Sequence, residues 1–113
     1  MSNLSDVLKT VVAFPELYLG KPSLERLYAF ICGFLYANRD ADDGCLDGFN
    51  DYIQNRYHIN TDHNWASVIQ FFSNDEQQAF EFFIQDFNDF SAKSGRTGLV
   101  LGLNRKTGDG SIS

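Results

Sequence analysis

Apolar side chains recur every three or four positions along most of the chain, which is the spacing of one buried face of an α-helix. The first such stretch covers residues 4–14, and Pro15 ends it because proline does not continue a helix. Residues 15–22 contain two prolines and a glycine together with three large apolar side chains. This segment is therefore predicted to be an ordered connection with room for one helical turn.

The second helical stretch is the most apolar, and it begins after Ser23, a favoured N-cap residue. Phe30, Cys32 and Tyr36 lie off its main stripe, so we expect neighbours to cover this central helix on several sides and Cys32 to be a buried thiol. Gly33 costs about 1 kcal/mol relative to alanine inside a helix, a cost usually tolerated where another backbone approaches closely. The main stripe consists of Leu24, Leu27, Tyr28, Ile31, Phe34 and Leu35.

Three further amphipathic stretches are predicted to be helices, at residues 46–57, 65–72 and 73–90. The last one is expected to open with a capping box, in which Ser73 caps the first turn and Glu76 returns a hydrogen bond to the backbone of the cap. After residue 90 the helical period disappears and five glycines follow, which predicts a strand-like or loosely held tail.

The fold predicted from these elements is an all-α bundle of about five helices, formed by residues 1–90. The glycine-rich tail, residues 91–113, is expected to belong to the same domain. A chain of 113 residues, 43% of them apolar, is long enough for one domain without help from a metal or a disulfide. The side chains expected in the core are Leu27, Ile31, Phe34, Leu35, Phe80, Phe83, Ile84 and Phe87.

The chain shows no sign of a membrane segment or a secretion signal. The longest uncharged apolar stretch, residues 27–38, is well short of the ~20 residues that cross a bilayer. Residues 1–6 are polar and lack the basic and apolar regions of a signal peptide. We therefore expect a cytoplasmic protein that binds no membrane, in which Cys32 and Cys45 are reduced.

Charge is distributed unevenly along the chain, whose net charge is −6. Residues 1–90 contain fourteen acidic and five basic side chains, a balance of −9, whereas residues 91–113 contain four basic and one acidic, a balance of +3. An acidic body repels phosphate backbones, so direct binding of nucleic acid is disfavoured and basic proteins are the natural partners. Acidity that serves solubility alone is the common alternative.

Two acidic surfaces are candidates for contact with such a partner. The first contains the densest run of one charge sign in the chain: Asp40, Asp42, Asp43, Asp47 and Asp51. The second lies on the last predicted helix and contains Asp75, Glu76, Glu81, Asp86 and Asp89. The first is the predicted partner-binding site, and the second is the next surface to consider.

No catalytic, cofactor or metal site is predicted. Asp40 and Asp51 occupy the first and twelfth places of an EF-hand-like loop, but the sixth place is not glycine and no glutamate closes the loop. His58, Asp62 and His63 match neither a helical histidine pair nor a zinc ribbon, so histidines in a helix end and a loop are the simpler interpretation. The chain also lacks a nucleophile elbow and a glycine-rich phosphate loop.

Three short motifs near the start of the chain are residues 15–20 (PELYLG), 23–27 (SLERL) and 30–35 (FICGFL). They look like the start of the small helical immunity proteins encoded beside bacterial contact-dependent growth inhibition and other polymorphic toxins. The later residues that fit are Trp65, Ile69, Phe71, Phe72, Asp75, Glu76, Ala79 and Phe80. The resemblance covers residues 4–90 and leaves the tail outside.

This resemblance implies a cytosolic protein that binds one toxin domain, often a nuclease, and blocks its active site or substrate surface. It assigns no contact residues, because such pairs diverge quickly. The charge of the chain points the same way, since a toxin that grips nucleic acid has a basic surface that an acidic helical body complements.

Two other functions are compatible with the sequence. A helical adaptor or regulatory domain would recognise a peptide in a groove between aromatic-rich helices. A binder of a small apolar ligand, or an enzyme, would need a deep pocket where a carboxylate or histidine converges with other polar groups.

Overall fold

Six α-helices and one 3₁₀ turn make up the part of the chain that the structure, a computed structural model, describes, which is residues 3–93. This range contains no strand, so the predicted all-α fold is confirmed. None of its helices is long and apolar enough to cross a bilayer. The elements are α1 (Leu4–Ala13), α2 (Pro15–Leu19), α3 (Leu24–Ala37), the 3₁₀ turn (Arg39–Ala41), α4 (Phe49–Arg56), α5 (Trp65–Phe71) and α6 (Glu76–Lys93).

The helix boundaries agree with the sequence pattern to within one residue except at three places. Helix α4 begins at residue 49 and α6 at residue 76, each three residues later than predicted, and α6 continues to residue 93, three residues past the predicted end. The single turn expected between the two prolines is α2. The strand-like tail lies outside the described residues from residue 94 onward, so its character and its place in the same domain stay predictions.

Side-chain caps set the start of three helices. Asn3 Oδ1 accepts a hydrogen bond from the backbone N–H of Asp6 at 3.0 Å and so caps α1. Ser23 caps α3 as predicted, through a bond from the N–H of Arg26 at 3.3 Å. Asn64 caps α5 in the same way. Each cap of this type contributes about 1 kcal/mol, because it satisfies a donor that the helix leaves unpaired.

The capping box predicted at Ser73 and Glu76 is wrong by two residues. Ser73 instead donates its hydroxyl to the carbonyl of Ile69 at 2.6 Å, in the last turn of α5. Asp75 caps α6 by accepting from the N–H of Gln78 at 2.8 Å, and Gln78 Oε1 accepts from the N–H of residue 74 at 2.7 Å. Because the connection between α5 and α6 is short, Ser73 still lies close enough to the last turn of α5 to bond its backbone, and α6 begins after Asp75.

The core forms where α6 packs against α3, α4 and α5. Phe49, the first residue of α4, is fully buried at its centre, and its ring centroid lies 5.2 Å from Trp65, 5.9 Å from Phe83 and 5.8 Å from Phe87. Helix α1 adds a second group of buried side chains to the same core: Leu4, Leu8, Val11 and Val12.

Most of the predicted core residues are buried, and the exceptions all lie on α3. Leu27, Ile31, Phe80, Phe83, Ile84 and Phe87 are buried. Phe34 and Leu35 are only half-buried at the edge of the core, and Cys32 is exposed, contrary to prediction. Of the three off-stripe residues, Cys32 and Tyr36 are exposed and Phe30 is half-buried, because α5 and α6 pack against the main stripe of α3.

The close backbone approach predicted at Gly33 is also absent. A Cβ built at this position meets no atom within 4 Å, since Gly33 lies on the exposed face of α3. The glycine therefore lowers helix propensity without a packing reason in the described part of the chain.

Gly33→Ala is therefore expected to raise the free energy of unfolding by about 0.5–1 kcal/mol, because alanine is the better helix former and meets no clash. Urea denaturation followed by circular dichroism measures the change. Gly48→Ala is the control: Gly48 has φ 82°, where a side chain is strained, so this variant should lose stability. A loss of stability in Gly33→Ala would contradict the exposure of this face.

Candidate functional site

The predicted acidic site forms one continuous stretch, which we call the acidic segment (residues 40–51). Asp40 lies in the 3₁₀ turn, the next three aspartates in the connection to α4, and Asp51 in the first turn of α4. Asp40, Asp42, Asp47 and Asp51 are exposed, whereas Asp43 is half-buried. None of the three ion pairs in residues 3–93 involves these side chains, and the four exposed carboxylates face solvent.

Asp43 differs from the other four aspartates because its carboxylate forms structural hydrogen bonds. Its carboxylate accepts a hydrogen bond of 2.5 Å from the Ser5 hydroxyl and one of 3.2 Å from the N–H of Cys45. Burial acts to raise the pKa of Asp43, but these hydrogen bonds outweigh it and hold that pKa below its ordinary value. Asp43 therefore links α1 to the connection before α4 and has a structural role that the other four aspartates lack.

The rest of the connection has a defined shape. Asp42 Oδ1 accepts a hydrogen bond from the N–H of Gly44 at 3.0 Å. Gly44 and Gly48 have φ of 77° and 82°, backbone conformations that glycine adopts readily. The turns at these positions present the aspartates on a fixed scaffold, which lowers the conformational entropy lost when a partner binds.

The second candidate surface keeps four of its five acidic side chains at the protein surface. Asp75, Glu76, Glu81 and Asp89 are exposed, whereas Asp86 is buried, at 3% exposure. Two of the exposed side chains form ion pairs, Asp89 with Arg56 and Glu76 with Lys21 at 3.2 Å. Among the described residues the acidic segment therefore has the larger number of exposed carboxylates outside an ion pair.

Asp86 instead forms the centre of a buried network between α4 and α6. Its two carboxylate oxygens accept from the Tyr57 hydroxyl at 2.5 Å and from Arg56 Nε at 2.7 Å. Arg56 also bonds Asp89 at 2.9 Å and the Tyr52 hydroxyl at 3.0 Å. No local sequence pattern indicates this network, because Asp86 lies between a polar residue, Gln85, and an apolar one, Phe87.

Burial raises the pKa of Asp86, and the hydrogen bond from Tyr57 and the charge of Arg56 oppose that shift without cancelling it. Burial likewise raises the pKa of Tyr57 far above its ordinary value, and the adjacent carboxylate adds to the effect. No buried side-chain atom of this network lacks a hydrogen-bond partner, so the network ties the two helices together.

A shallow apolar depression opens between α5 and the segment that follows α4. Its volume is about 400 Å³, and most of its lining is apolar. Phe71 forms one wall and is 77% exposed, an unusual position for a large apolar side chain. We call this feature the apolar depression, and its lining residues are Ile59, Thr61, His63, Ser67, Val68 and Phe71.

The apolar depression adjoins the acidic segment. A second, polar depression of about 450 Å³ is lined by Asp51 and Ile59, and Ile59 also lines the apolar one. An acidic side chain and an apolar pocket therefore lie on either side of one isoleucine. Two consecutive phenylalanines at the end of a helix, at residues 71 and 72, were the only sequence signal for this surface, because both cannot lie on one buried stripe.

The residues considered for metal binding are not brought together. Within residues 3–93 no group of three or more histidine, cysteine, aspartate or glutamate side chains could hold an ion. His58 lies at the end of α4 and His63 at the rim of the apolar depression. Within the described residues the two cysteines form no disulfide, and Cys45 is buried whereas Cys32 is exposed.

Comparison with known protein families, curated proteins and solved structures finds no match to this chain. The acidic segment and the apolar depression together offer carboxylates that can pair with lysine or arginine, beside an aromatic side chain that a partner can bury.

Proposed function

We propose that the protein is a cytoplasmic immunity protein that binds a basic toxin domain, such as a nuclease, and neutralises it by covering its active or substrate-binding surface. The observation that carries this proposal is the exposed acidic segment, whose charges have no basic partner among the described residues. A partner with a complementary basic patch would supply those missing charges.

The charge of the whole body supports rapid capture. Residues 1–90 have a balance of −9, and such a field attracts a basic protein from a distance and raises the association rate. Fast association suits an inhibitor that must bind a toxin before the toxin acts. The motifs that resemble immunity proteins lie in the same residues.

A peptide-binding adaptor is the second candidate, and the apolar depression is the observation that favours it. An apolar side chain of a bound peptide could enter the depression beside Phe71. An adaptor would bind such a peptide without protecting cells from any toxin, which separates the two functions.

Co-expression tests the proposal directly. The domain encoded immediately upstream is expected to stop growth when produced alone, and production of the full chain in the same cells is expected to restore growth. A plasmid without the chain is the negative control. Growth arrest that persists in the presence of the folded chain would overturn the proposal, as would an upstream product that does not inhibit growth.

A further inference from the structure

We infer that the apolar depression receives an apolar side chain from a basic amphipathic helix of the partner, and that lysine or arginine residues beside that side chain pair with Asp51 and Asp62. The inference takes from the proposed function only that the partner is a basic protein.

Phe71 has the properties of a binding hot spot. It is 77% exposed, yet its ring packs against Phe72 with centroids 5.1 Å apart, and Phe72 packs against Tyr57 at 5.2 Å. Tyr57 in turn donates to the buried carboxylate of Asp86. This series of contacts positions an exposed aromatic ring before binding, so a partner can bury it with little loss of entropy.

The opposite wall is positioned by the backbone. His58 has φ 55°, and the N–H groups of His58 and Ile59 bond the carbonyls of Asn55 at 3.3 Å and Gln54 at 3.0 Å. This is a Schellman motif, in which a residue in the left-handed conformation ends the helix and the following residue turns back toward the last turn of that helix. The motif fixes Ile59 between the apolar and the polar depression.

The acidic side chains at the two depressions favour a basic partner. Asp62 is exposed between two residues that line the apolar depression, Thr61 and His63, and Asp51 lies across Ile59 in the polar depression. No lysine or arginine of the described chain lines either one. A second copy of this chain, with a net charge of −6, would bring like charges to this rim, whereas a basic helix brings opposite ones.

The test uses the full chain and a synthetic helical peptide with leucine on one face and lysine on the other. Fluorescence anisotropy is expected to show saturable binding to the wild type. Phe71→Ser is expected to weaken that binding about tenfold or more, as is replacement of every lysine of the peptide by glutamate. Tyr36→Ser is the matched control. Tyr36 is 81% exposed, lies on α3 and lines neither depression, so this variant should bind the peptide as the wild type does.

Equal affinity of wild type and Phe71→Ser would overturn the inference, as would an equal loss in Tyr36→Ser, equal binding of the two peptides, or no binding to the wild type. The same variants measured with the upstream-encoded domain separate the two claims. If the domain binds Phe71→Ser as tightly as the wild type, the inference fails and the proposed function stands. If the peptide binds as described but the domain does not bind, the proposed function fails and the inference stands.

Discussion

Phe49→Ala is expected to lower the free energy of unfolding by about 4 kcal/mol. The Phe49 side chain has 0% exposure and lies within 6.2 Å, centroid to centroid, of five other aromatic rings. Alanine would leave a cavity between α4, α5 and α6, which the surrounding large rings cannot fill by small movements. Since domains of this size are stable by roughly 5–15 kcal/mol in total, about a quarter to four fifths of the stability would be lost.

Urea denaturation followed by circular dichroism measures this loss. Phe71→Ala is the control, because it removes the same side chain from an exposed position and should change stability by about 0.5 kcal/mol or less. A loss below about 1 kcal/mol in Phe49→Ala would show that Phe49 is not the centre of the core.

Asp86→Ala is expected to lower the free energy of unfolding by about 3 kcal/mol at neutral pH. The substitution removes the acceptor of the Tyr57 hydroxyl and the partner that lies 2.7 Å from Arg56 Nε. A buried donor and a partly buried cation would then lack their partner. Asp89→Ala is the control, since Asp89 is half-exposed and surface ion pairs contribute about 1 kcal/mol or less. Equal losses in the two variants would contradict a central role for Asp86.

The stability difference between wild type and Asp86→Ala should also depend on pH. Because burial raises the pKa of Asp86, the folded state holds its proton to a higher pH than the unfolded state does. The stability that this group contributes is therefore greatest below a pH of about 4 and falls as the pH rises through the raised pKa. Denaturation at a series of pH values should show the difference shrinking as the pH rises.

Asp43→Asn provides a control of opposite sign. The pKa of Asp43 is lowered, so its contribution is present above the ordinary carboxyl pKa and is lost as the pH falls. The difference between wild type and Asp43→Asn should therefore shrink toward low pH. If both differences changed in the same direction, the assignment of at least one carboxylate would be wrong.

The sequence predicted the helices well because each helix has an apolar face with a period that is local in the chain. It predicted less well which neighbours cover that face. The apolar pattern of α3 predicts that Cys32 and Phe34 are core residues. Which side of α3 is buried, however, depends on where α5 and α6 pack against it. The shifted cap at Asp75 has a local cause, since residues 73–76 include several side chains that can cap a helix.

The candidate site could likewise be predicted from the sequence only in part. The acidic segment was visible because its charges are close together in the sequence. The role of Asp43 was not, because its partner Ser5 is 38 residues away. The burial of Asp86 and the juxtaposition of Asp51 with the apolar depression depend on how α4, α5 and α6 pack, and no local pattern encodes that packing.

The measurement that tests the account most directly is the association rate with the upstream-encoded domain at low and at moderate salt. Asp40→Lys combined with Asp47→Lys reverses two exposed charges and spares the structural carboxylate of Asp43. Glu16→Lys combined with Glu25→Lys is the matched control, because it changes the net charge by the same amount at exposed positions on α2 and α3, outside both candidate acidic surfaces.

Because close charges steer association most strongly, the aspartate pair is expected to slow association about tenfold at low salt and to flatten its dependence on salt. The glutamate pair should have a much smaller effect on the association rate. In both variants the free energy of unfolding should stay within about 0.5 kcal/mol of the wild-type value, which is usual for surface substitutions. Equal slowing by the two pairs, or rates unchanged by the aspartate pair at both salt concentrations, would contradict binding through the acidic segment.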